Sequence, residues 1–163
     1  MLELPQWEAF LLAVVGAAAV LTGLMFVGVS INLERVLQGP GVIPARAAET
    51  LGTLVLAIIT GSLALLPQSA VALGVEVVVL TTLLLFATTR SQIRHHRNYR
   101  DAPSSWLLTR SISTLSCCIP SLVGGIFLLV DDPNGIYGIA VAALLAVSGC
   151  VYNAWVLLIE IAR

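Results

Sequence analysis

The chain has 163 residues, of which 58% are hydrophobic and 10% charged, and its mean hydropathy is +0.99. A soluble domain carries about a quarter charged residues to keep its surface wet, so a water-facing globule is excluded and lipid is the expected solvent. The net charge of −1 conceals an uneven spread, because all eight basic residues are arginine and none is lysine.

A helix needs about 20 apolar residues to cross the hydrocarbon core, so five crossings would consume roughly 100 residues. That leaves short loops and no room for a soluble domain. The first expected span is 9–31, entered past Trp7, an interfacial anchor by residue type. It is too long for a signal-peptide core, and only Glu3 and Glu8 precede or open it. Asn32, Glu34, Arg35 and Gln38 extend helix 1 by a turn or two. Gly39-Pro40-Gly41 and Pro44 then break the chain.

The second span is 46–66, with Arg46 and Glu49 in its first turns. Pro67-Gln68-Ser69 reads as a tight turn with Ser69 as the N-cap of the third span, 70–89. A basic segment, 90–110, follows as the main loop. Its Arg90, Arg94, Arg97 and Arg100 have a spacing that suits a helical continuation, ended by Pro103. The fourth span, 111–130, is entered past Trp106 and Arg110. It carries Pro120 and is expected to be the least apolar of the five. Asp131-Asp132-Pro133-Asn134-Gly135 is a turn by composition, and the fifth span is 136–159.

The arginines assign the sides. The side holding the N-terminus and the turns at 67–69 and 131–135 has none of them. The other side has Arg35, Arg46, Arg90, Arg94, Arg97, Arg100, Arg110 and Arg163. A random split this one-sided arises about once in a hundred chains, and the positive-inside rule makes the arginine side cytoplasmic. The expected architecture is therefore an all-α integral membrane bundle, one domain of five transmembrane helices. Its N-terminus is outside and its C-terminus cytoplasmic.

Lipid tails compete with every apolar side chain, so membrane helices associate where small residues let backbones approach. Gly138, Ala142, Ala146, Cys150 and Ala154 form such a ridge on helix 5. Thr109, Ser113, Cys117, Ser121 and Gly125 form another on helix 4, and Thr53, Ala57 and Gly61 a shorter one on helix 2. Helix 1 has Ala9, Gly16, Gly23 and Ser30 at intervals of seven, the spacing of a left-handed seam. These ridges serve packing within the chain, and at least one of them is a candidate face for a homo-oligomer.

Glu76 is the candidate ion or proton site. It lies six residues into helix 3, roughly 9 Å from the outer end at 1.5 Å per residue. A charged side chain at the bilayer centre costs about 2.5–3.5 kcal/mol on insertion scales and less toward the interface. A bonded or snorkelling glutamate with no transport role is the plainer reading. Pro120 frees a backbone carbonyl, and with Ser113, Ser116 and Ser121 it makes helix 4 the candidate polar path.

Glu34, Arg35, Arg46, Glu49 and Glu160 are expected to form a cytoplasmic ion-pair cluster tying helices 1, 2 and 5. A gate or a site for an anionic head group is the alternative use. Tyr152 and Asn153 are positioned to bond between helices. The basic segment Arg90, Arg94, Arg97 and Arg100 is expected to lie against anionic head groups, each arginine contributing about 1 kcal/mol near the surface. Adjacent His95 and His96 diverge on a helix and are flanked by arginines, so no metal site is expected there. Cys117, Cys118 and Cys150 lie in apolar stretches and read as small packing residues. No catalytic set, cofactor motif, phosphate-binding glycine loop or nucleic-acid surface is present, and an enzyme is not expected.

The segments GAAAVLTGLMFVGVSINLERVL, PARAAETL and NAWVLLIEIAR resemble a group of small multi-pass membrane proteins of high-GC bacteria, chiefly actinobacteria. The resemblance implies a bacterial inner-membrane location and transfers no activity or site residue. Two functions are then expected: a small oligomeric channel or ion-conducting protein using Glu76 and helix 4, or a structural or regulatory subunit that docks other membrane proteins through small-residue faces.

Overall fold

The computed structural model describes residues 5–34, 42–98 and 104–162. It is all-helical, with α1 over Pro5–Ile31, α2 over Val42–Ala64, α3 over Ala70–Asn98, α4 over Ser104–Leu129 and α5 over Gly135–Ala162. All five are long and apolar enough to cross a membrane. Their outer surface carries Phe26, Ile31, Phe86, Val130 and Trp155, each more than 60% exposed. Such a surface suits lipid and would aggregate in water.

The helix ends follow local chemistry. Ser69 caps α3 as expected, its Oγ accepting from the Ala72 amide at 3.2 Å. Pro44 does not break the chain, because it sits in the first turn of α2, where a missing N–H leaves no intrahelical bond unmade. Much of the segment expected as a basic loop is helical: α3 runs on to Asn98 and α4 begins at Ser104. Arg90 and Arg94 stand exposed on that extension.

At the end of α4 the Asp132 amide donates to Phe127 at 3.0 Å and the Asp131 amide to Leu128 at 3.1 Å. This is the six-to-one and five-to-two pattern of a Schellman cap. Asp131 holds the left-handed position, with φ of 60°. The Asp132 carboxylate then accepts from the Asn134 amide at 2.9 Å and opens the approach to α5.

Neighbouring helices run antiparallel, so α2 and α4 share a direction. α2 is the centre of the bundle, with 56% of its span buried against 22% for α1. It is also the least apolar span, a place expected for α4. The reason is geometric: α2 touches every other helix, so its polar side chains can face protein and not lipid.

One apolar cluster, at the end of the two tight turns, joins Leu11, Leu73, Val77, Leu128, Ile136 and Ile139. A second runs deeper, with Ala18, Leu54, Ala57, Cys117, Cys118 and Cys150. The three cysteines are buried and unbridged.

The turn end of the bundle is closed by bare backbone. A Cβ added to Gly138 would lie 2.5 Å from the Gly124 Cα and 2.6 Å from the Pro120 carbonyl oxygen. One added to Gly74 would meet the Leu129 nitrogen at 2.8 Å and the Gly125 oxygen at 2.9 Å. Thus α3, α4 and α5 meet at glycines; the α5 ridge reaches α4 at Gly124, whereas Ser121 and Gly125 of the α4 ridge contact α3. Gly138→Ala is expected to lower the thermal unfolding midpoint in detergent, costing about 1–3 kcal/mol by overpacking. Gly28→Ala, with open space around it, serves as the control. Equal midpoints for the two variants would show that the crossing is loose.

Candidate functional site

The inner face of α2 presents Arg46, Glu49, Thr50, Thr53 and Thr60, all buried. Their spacing of three, four and seven places them on one helical stripe. Charged side chains held away from water need partners, and α4 and α5 supply them.

Glu49 forms a two-pronged ion pair with Arg110 of α4. Arg110 Nε donates to Oε2 at 3.0 Å and Nη2 to Oε1 at 2.5 Å. The two side chains are 9% and 2% exposed, so this is an interior pair. Arg46 turns instead to α5, donating through Nε and Nη2 to the Asn153 Oδ1 at 3.3 and 2.9 Å. The Asn153 amide nitrogen donates to Thr50 Oγ1 at 3.0 Å and to Ser113 Oγ at 3.3 Å. Thr50 can accept because its own proton goes to the Arg46 carbonyl, 2.9 Å away. Asn153 therefore ties three helices together, with the Glu49–Arg110 pair beside it.

A cavity of about 10 Å³ lies among these side chains with Thr53, Ser113 and Thr114 in its wall. That is room for about one water. A second cavity of the same size shares Thr53 and is lined further by Thr60, Ser121 and alanines of α5. Its exposed wall is apolar, although Thr60 and Ser121 border it.

The candidate residues are not gathered in one place. Glu76 is half-buried at the opposite end, where it accepts from Gln68 Nε2 at 3.1 Å. Gln68 also donates to the Leu63 carbonyl at 2.9 Å, tying the glutamate to the turn between α2 and α3. Ser121 pairs with Thr81 at 2.9 Å, fully buried. Ser116 donates to the Ser113 carbonyl of its own helix at 2.9 Å, and the Pro120 carbonyl backs onto Gly138. Ser113 belongs to the arginine network.

The expected ion-pair cluster of Glu34, Arg35, Arg46, Glu49 and Glu160 takes a different form. Arg46 and Glu49 are in the network, but their partners are Asn153 and Arg110. Glu34 is exposed. Arg35 lies outside the described residues, as do Arg100 and Arg163 and the side chains of His95, His96, Arg97 and Glu160. Asn153 does bond between helices, whereas Tyr152 is 56% exposed and faces outward. Among the described residues no three His, Cys, Asp or Glu side chains are placed to hold a metal.

Arg110 is the residue that sequence reasoning passed over, having taken it as a boundary marker. The available signal was Glu49, a carboxylate in an apolar helix that required a cation at its own depth.

No protein-family model, curated protein or solved structure matches this chain. The site is accordingly interpreted on its geometry alone.

Arg46 and Arg110 against Glu49 leave an excess of one positive charge in the network. Glu49→Gln would raise that excess to two, whereas Arg110→Gln would remove it and let Arg46, one turn away, approach Glu49. Breaking a buried pair costs about 3–5 kcal/mol when one charge is left uncompensated. The expected order of thermal midpoints in detergent is wild type, then Arg110→Gln, then Glu49→Gln. An Arg110→Gln protein as unstable as Glu49→Gln, or more so, would contradict the charge count.

Proposed function

We propose that this protein is a non-enzymatic structural or regulatory subunit of a membrane assembly, docking other transmembrane helices, and first of all further copies of itself, through the outer face of α1. The observation that carries the reading is the space around glycine. Every described glycine of α2 to α5 has a neighbour within 4 Å of an added Cβ, and Gly16, Gly23 and Gly28 of α1 have none.

The two faces of α1 are distinct. Leu11, Ala18 and Met25 are buried at intervals of seven. The seam of Ala9, Gly16, Gly23 and Ser30 is displaced from them by two residues, about 200° round the helix, and all four are exposed. Small residues in lipid do not draw helices together by hydrophobicity, but they allow the close backbone approach on which membrane helix pairing relies.

The bacterial inner membrane, with the arginine-bearing end cytoplasmic, is the proposed setting. It rests on the arginine asymmetry and on the resemblance of the terminal segments to actinobacterial membrane proteins. Arg90 and Arg94 then stand where anionic head groups would lie. The ion-conducting reading is the weaker one, because Glu76 is bound to Gln68 at the opposite end of the bundle from the arginine network.

Gly16→Cys and Gly23→Cys, oxidised in native membranes, are expected to give disulfide-linked dimers of this chain. Ala18→Cys on the inner face should give none. Adducts with a different protein alone would reassign the face to a heterologous partner, and no adduct at either seam position would sink the proposal. In proteoliposomes, wild type and Glu76→Gln are expected to show the same background flux of protons and monovalent cations. A flux abolished by Glu76→Gln would reinstate the conducting reading.

A further inference from the structure

We propose that the Arg46–Arg110 network is a binding site for a phosphate group, one oxygen of which occupies the cavity at the arginine-bearing end of α2. The proposal is independent of the docking face on α1, since α2, α4 and α5 form the site.

The first ground is charge. Two guanidinium groups and one carboxylate are all more than nine-tenths buried. Among the described residues, Glu49–Arg110 is the one ion pair. Arg46 is left with the carboxamide oxygen of Asn153, a neutral acceptor. Among the described residues this desolvated cation is matched only by a neutral group, which suits it to an anion. The N-terminus of α2 adds the positive end of its helix dipole on the same side.

The second ground is the donor pattern. Both arginines spend Nε and Nη2 on their protein partners. Among the described residues, Nη1 of neither makes a hydrogen bond, and both side chains line the same cavity. Ser113 and Thr114 line it as well. Two guanidinium groups at one cavity suit a tetrahedral oxyanion, because phosphate offers acceptors on several sides. A carboxylate would use one guanidinium edge and leave the other idle.

The third ground is size and access. The void is partly open and admits one water-sized atom. A single phosphate oxygen fits inside while the rest of the group remains outside it. That position suits the head group of an anionic lipid and a free phosphate from the aqueous phase equally, so the experiment separates the two sources.

Purified protein in a zwitterionic detergent is heated in chloride at constant ionic strength, then with inorganic phosphate, with dispersed short-chain phosphatidylglycerol, or with the matching phosphatidylcholine. A rise in the unfolding midpoint with phosphate supports the free ion as ligand. A rise with phosphatidylglycerol, and with neither phosphate nor phosphatidylcholine, supports the head group. Saturation at a hundred times the dissociation constant corresponds to a stabilisation of about 2.7 kcal/mol, readily seen as a shift of the midpoint.

Arg46→Gln should abolish the shift. Arg46→Lys keeps the charge without the fork and should weaken it, so a variant that failed to fold would not remove the test. No shift in the wild type with either phosphate or phosphatidylglycerol would overturn the proposal. A shift of equal size in Arg46→Gln would overturn it too.

Discussion

Glu49 has to be neutralised where it stands, and much of the bundle follows from that requirement. An ionised carboxylate on the central helix, only 8% exposed, needs a partner where it stands. It therefore fixes Arg110, and through it the rotation of α4 about its axis. Arg46, one turn earlier, makes the same demand of α5 through Asn153. An arginine offers a rigid planar fork, so each contact specifies direction as well as distance. Once both are satisfied, the faces that α4 and α5 turn inward are settled. Cys117, Ser121, Ala142, Ala146 and Cys150 lie inside as a consequence.

The two ends of the bundle are held by different physics. At the arginine-bearing end, long polar side chains bridge gaps that backbones do not close, and a small cavity remains. At the other end, Gly74, Gly124, Gly125 and Gly138 bring three backbones into contact with no side chain between them. Dispersion there depends on fit and falls off within fractions of an ångström, so the contact tolerates no added methyl. The polar end can exchange one acceptor for another. This difference explains why a ligand site, if the chain has one, belongs at the arginines.

The count of five helices could be read from sequence because charges are so few that each apolar run stands out between them. The cap at Ser69 was equally plain, since a serine between proline and an apolar run has little else to do. Pro44 was misread because its residue type suggests a break, while its position in a first turn permits a helix. The pairing at the site was hidden for a different reason. Glu49 and Arg110 are 61 positions apart, and no periodicity within one helix reports a partner on another. Arg46 and Glu49 were correctly seen as a polar group at one end of α2, and Arg46 does find a partner on α5, but the α4 partner of Glu49 was not sought. Gln68 was nearer to being readable. A carboxamide in the turn directly before α3 is one of the few groups able to reach back to Glu76.

Small-residue spacing shows the same limit from another side. Helices α1, α4 and α5 carry comparable ridges, yet those of α4 and α5 are covered by neighbouring helices of the same chain while that of α1 is open. A ridge states that something can come close; it does not say what. The geometry narrows the choice, because close approach of two backbones requires small residues on both. In this chain the ridges of α4 and α5 are already covered, and α2 meets α1 on its opposite, buried face. A second α1 supplies glycine opposite glycine, and two-fold pairing places the same patch on both partners. The proposed self-association through α1 would satisfy the open seam without disturbing the packed core.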